Sequence, residues 1–86
     1  MGITPKPRGN IVDYYEDNKN RILSKNDSNK WISLLIVNDS TTNDLTIKVN
    51  DIIMTIKANE SFDEDFEDFN FVEIKAVDYY RVWLRE

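Results

Sequence analysis

Leu45-Thr46-Ile47-Lys48-Val49-Asn50-Asp51-Ile52-Ile53-Met54-Thr55-Ile56-Lys57-Ala58 is the stretch that decides the fold. Leu45, Ile47 and Val49 alternate with Thr46 and Lys48, the period of two expected of a strand with one face in a core. Ile52, Met54, Ile56 and Ala58 continue one face, and Ile53, Thr55 and Lys57 the other. Between the two runs stands Asn50-Asp51. Both residues accept the positive φ that a two-residue hairpin needs, though less readily than Asn-Gly. The stretch therefore reads as an antiparallel hairpin.

Working outward, residues 31–37 (Trp-Ile-Ser-Leu-Leu-Ile-Val) form a nearly continuous apolar run. A strand apolar on both sides needs cover on both sides, so this is expected as a central strand or one whose outer face meets a partner. Val72, Ile74 and Ala76 alternate with Glu73 and Lys75, and Tyr80, Val82 and Leu84 oppose Tyr79, Arg81, Trp83 and Arg85. Residues 61–69 have two readings. Phe62, Phe66 and Phe69 at i, i+4, i+7, behind the capping-box pattern Ser61-x-x-Glu64, favour a short helix. A strand and loop anchored by phenylalanines is the competing one. The predicted architecture is all-β: a small antiparallel sandwich or barrel of five or six strands over residues 30–86.

Residues 1–29 read as an N-terminal arm. Both prolines (Pro5, Pro7) and both glycines (Gly2, Gly9) lie in its first nine residues, which favours extended backbone. Within residues 10–24, Asn10 as N-cap and Ile11, Tyr14, Tyr15 and Ile22 on a shared face suit a helical turn or two. Asp17, Asn18 and Asn20 argue instead for an irregular strap. Residues 25–30 are a polar hinge.

The 86 residues bound the chain to one domain with a thin margin of stability. There is no cysteine and no histidine, which removes disulfides, thiolate ligands, the commonest general base and the commonest metal ligand. The net charge of −5 is uneven. Residues 1–30 carry six basic against four acidic groups, and residues 31–86 five against twelve. Nucleic acid is not an expected partner of so acidic a body. The start of the chain lacks the apolar region of a signal peptide, and no run is long enough to span a bilayer, so no membrane partner is expected.

Three features invite a functional reading. Tyr79, Arg81, Trp83 and Arg85 share a face and are of the types that anchor protein interfaces; a strap bearing Tyr14 and Tyr15 is the internal alternative for covering it. Trp31 and Trp83 are also candidate platforms for a sugar ring. Asp63, Asp65 and Asp68, in an acidic run with Glu64 and Glu67, are the one candidate cation site, but they lack the spacing and central glycine of a calcium loop. No serine has a histidine to activate it, so no enzyme activity and no cofactor are expected.

Residues 43–50 leading into Ile56-Lys57-Ala58-Asn59-Glu60-Ser61-Phe62, then Phe66-x-x-Phe69, Val72-x-Ile74-x-Ala76 and Tyr80-Arg81-Val82-Trp83-Leu84-Arg85, resemble small accessory virion proteins of tailed bacteriophages. The resemblance covers residues 43–86 and departs from the family's usual turn glycines at Asn50-Asp51 and Asn59-Glu60. It implies a β-sandwich that decorates, lines or cements a virion after assembly in the bacterial cytoplasm. Capsid or tail proteins and further copies of the chain would be its partners. On that reading Ile11, Tyr14 and Tyr15 are arm anchors, and Trp31, Tyr79, Arg81 and Trp83 interface residues. A carbohydrate-binding module is the alternative. Deleting residues 1–24 is expected to stop assembly and leave the body folded.

Overall fold

The computed structural model describes residues 10–25, 28 and 30–86. These form eight strands: β1 (Ile11–Asp17), β2 (Arg21–Ser24), β3 (Trp31–Asn38), β4 (Leu45–Val49), β5 (Ile52–Ile56), β6 (Ser61–Phe69), β7 (Phe71–Lys75) and β8 (Tyr80–Arg85). Sheet A has the order β1-β8-β3-β6 and sheet B the order β2-β7-β4-β5, with every paired neighbour antiparallel.

The order has a simple origin. β4 pairs with β5, β3 with β6, β2 with β7 and β1 with β8, so the chain is one long antiparallel ribbon folded at its middle. The fold point is the Asn50-Asp51 hairpin. Both residues hold positive φ, 48° and 67°, as a primed two-residue turn requires. Rolling the ribbon then pairs β8 with β3 and β7 with β4, giving the two nested sheets of a jelly roll. Asn59, at φ 64°, makes the second special turn, closed by Glu60 N donating to Lys57 O at 3.0 Å. Asparagine here does the work of glycine.

The core lies between the sheets. Leu34, Ile36, Tyr80, Val82 and Leu84 from sheet A meet Leu23, Ile47, Val49, Val72 and Ile74 from sheet B, all buried. Burying each aliphatic side chain is worth roughly 1.5–3 kcal/mol, and this closure serves where disulfides cannot. β3 is interior to its sheet, as its apolar run requires.

Asn38 links the sheets at one end. It is buried, its Nδ2 donates to Asn43 O (2.9 Å) and Ile56 O (3.0 Å), and its Oδ1 accepts from Ser40 N (3.0 Å).

Three expectations are corrected. There are eight strands rather than five or six, because residues 10–24 form no helix or strap: Ile11–Asp17 is the edge of sheet A and Arg21–Ser24 the edge of sheet B. Residues 1–9 of the expected arm lie outside the described residues. Residues 61–69 are likewise a strand, not a helix. Between the pairs Ser33–Asp65 and Trp31–Phe69, β3 advances two residues while β6 advances four. That irregularity lets Phe69 enter the core although a regular strand would turn it away from Phe62 and Phe66. Phe62, Phe66, Phe69 and Trp31 form an aromatic run with centroid separations of 6.1, 5.7 and 5.8 Å.

Candidate functional site

Alternation along four strands builds the outer face of sheet A. The register sets Glu16, Arg81, Val37 and Ser61 across one row, and Tyr14, Trp83, Leu35 and Asp63 across the next. A third row holds Ile11, Arg85, Ser33 and Asp65. Tyr80, Val82 and Leu84 point the other way, into the core, which leaves Arg81 and Trp83 on the outside.

Arg81 is fixed by a two-pronged ion pair. Its Nε donates to Asp39 Oδ2 and its Nη2 to Asp39 Oδ1, both at 2.7 Å. This fork is the favourable geometry for guanidinium and carboxylate. It raises the guanidinium's pKa above its already high ordinary value, first through the hydrogen bond and then through the charge of Asp39. So held, Arg81 lies 5.5 Å from the centre of the Trp83 ring, within cation–π range. Tyr14 packs on Trp83 from β1 with centroids 5.1 Å apart and planes tilted by 49°. Its hydroxyl donates to Glu16 Oε2 at 3.0 Å. Desolvation, then that hydrogen bond and the charge of Glu16, push the phenol's pKa up. Tyr14 and Arg81 therefore both keep their protons at neutral pH.

The loops beyond β3 and β7 complete one end of the face. Asp39 N donates to Tyr79 O at 3.0 Å. Asp78 accepts from Tyr79 N at 2.8 Å, and that bond, followed by one with Ser40, holds its carboxyl below the usual range. Tyr79 is left exposed beside a shallow hollow of about 430 Å³ that Glu16, Asp17, Asn18, Asp39 and Arg81 also line.

Of the residues singled out from sequence, Tyr79, Arg81 and Trp83 do share one face, and Tyr14 joins them from β1. Ile11 is exposed at the far corner, opposite Arg85. Tyr15 turns inward, packs against the core and lies under Arg21, 5.0 Å from its guanidinium carbon. Trp31 is a correction: it is fully buried, and its Nε1 donates to Asp13 Oδ2 at 2.8 Å, so it offers neither an interface nor a sugar platform. The proposed cover by Tyr14 is realised in part, leaving Trp83 half-buried.

The acidic run is also corrected as a cation site. Asp63 pairs with Arg85 and Asp68 with Lys30, and no group of three or more acids among the described residues converges to hold a metal. Asp39 and Glu16 were not legible as site residues. Asp39 stands in a polar loop 42 residues from Arg81, and only the β3–β8 register brings them together. No helix of the described residues is long and apolar enough to cross a membrane.

Protein-family models, curated proteins and solved structures were each compared with this chain, and none gives a match.

Proposed function

We propose that this chain is a non-enzymatic structural protein of a bacteriophage virion, binding capsid or tail protein through the outer face of sheet A. The observation that carries the reading is the array Tyr14–Trp83–Arg81, immobilised by Asp39 and Glu16. Tyrosine, tryptophan and arginine contribute a disproportionate share of binding energy at protein interfaces. Held in place beforehand, they lose little conformational entropy on docking. Exposed Tyr79 and Ile11 extend the face at its two ends. The jelly roll adds an analogy of fold, since viral capsid domains use it, though fold alone does not choose a function. The virion setting itself derives from the resemblance over residues 43–86. Burial of Trp31 weighs against the carbohydrate module, which loses one of its two platforms.

Mass spectrometry of density-banded particles from an infected culture tests the setting; absence of the chain from the particles refutes it. Exchange of tagged variants into particles tests the face. Arg81→Ala and Trp83→Ala should each lower incorporation at least about tenfold, the cost of one anchor residue. Undiminished incorporation of both would move the contact elsewhere.

A further inference from the structure

The outer face of sheet B is a second surface, and its pattern is its own complement. Ile22 on β2 pairs with Glu73 on β7, Glu73 with Lys48 on β4, and Lys48 with Ile53 on β5. Ile22, Glu73 and Lys48 point outward, because Leu23, Val72, Ile74, Ile47 and Val49, which flank them along their strands, are buried in the core, and Ile53 is exposed opposite Lys48. Ile22 and Ile53 are 65% and 66% exposed, and Phe71 adds a further exposed ring on the same side of β7. The row across the sheet thus reads isoleucine, acid, base, isoleucine.

We infer that this face is the contact between two copies of the chain, related by a twofold axis running along the strands. Such an axis reverses the row. Ile22 then faces the partner's Ile53, and Glu73 faces the partner's Lys48, twice over by symmetry. A twofold axis running across the strands would set Glu73 on Glu73 and Lys48 on Lys48, so charge selects the first arrangement. Shallow hollows lie beside each isoleucine, one among Thr46, Lys48, Ile53 and Lys75, the other among Asn20, Arg21, Ile22 and Lys75. Lys48 Nζ also lies 3.9 Å from Asp51 at the exposed hairpin, a surface contact weak enough to yield.

Strand spacing and rise give four strands of five residues a footprint of about 19 by 17 Å, roughly 300 Å². That is well below the ~800 Å² per partner of a standard interface, so the dimer is weak and concentration-dependent. This inference is independent of the proposed virion role.

Sedimentation velocity of the full chain at low salt, from about 10 µM to about 1 mM, should show the weight-average mass rising from one copy toward two. High salt should reduce the association. Lys48→Glu and Glu73→Lys, each alone, should weaken it at least about tenfold, because each sets like charges face to face. An equimolar mixture of the two variants should associate again, since each then meets its opposite. Ile22→Asp should abolish association. Circular dichroism checks that each variant is folded. A chain still monomeric at about 1 mM overturns the inference, whatever else covers the face. So does a mixture no more associated than its components, or undiminished association of Ile22→Asp.

Discussion

Asp13→Ala tests how firmly the N-terminal strand belongs to the fold. Asp13 sits on β1 opposite Leu84 and accepts the Nε1–H of Trp31, whose side chain has no solvent exposure. Removing the carboxylate orphans a buried donor. Hydrogen bonds to charged groups are worth roughly 1.5–3 kcal/mol, and an unsatisfied buried group costs about 1–3 kcal/mol. A loss near 2 kcal/mol is therefore expected. For a domain of this size, each kcal/mol moves the melting temperature by about 4–8 °C, so Tm should fall by about 8–16 °C. Urea unfolding followed by tryptophan fluorescence gives the free energy directly. A double-mutant cycle isolates the bond. In a Trp31→Phe background there is no indole N–H to orphan, and Asp13→Ala should cost about 1.5 kcal/mol less than it does in the wild type. A single-variant cost below about 0.5 kcal/mol, or a coupling near zero, would refute the reasoning and return residues 11–17 to the status of a dispensable strap.

Deleting residues 1–24 should unfold the protein, contrary to the expectation from sequence, because it removes β1, β2, the buried Leu23 and the Lys19 carbonyl that accepts from Tyr80 Oη; collapse of amide dispersion in an NMR spectrum reads this. Asn38→Asp keeps the shape of the side chain but turns an acceptor oxygen toward the Asn43 and Ile56 carbonyls, and should cost about 3 kcal/mol or more in urea unfolding. The Tyr80 phenol's pKa is raised, chiefly by desolvation and next by the charge of Asp17. Its protonated form is thus favoured in the folded state: the stability it adds is complete below the ordinary pKa of 10.0 and is lost as pH climbs through the raised value. Wild type should accordingly lose stability with pH above 10 more steeply than Tyr80→Phe, and parallel slopes would count against it.

The hairpin at Asn50-Asp51, the alternating strands that flank it and the interior place of β3 were legible in the sequence, because a period of two and a turn that tolerates positive φ are local properties. The grouping of Tyr79, Arg81 and Trp83 on one face followed from the same alternation. Residues 61–69 misled because Phe62, Phe66 and Phe69 fit a helical face and an irregular strand equally well, and only pairing with β3 favours the strand. Tertiary structure alone separated the two tryptophans. Trp31 lies in the core because the irregular pairing of β3 with β6 sets it against Phe69, with Asp13 of β1 accepting from its nitrogen, whereas Trp83 stayed at the surface because Val82 and Leu84 on either side took the inward positions. The same holds for β1 and β2. Their short, half-polar patterns promise little by themselves, and they become strands because the rolled ribbon presents β8 and β7 as edges for them to pair with. Local pattern set which residues alternate; the long-range pairing of the ribbon set which sheet they joined and which side chains met.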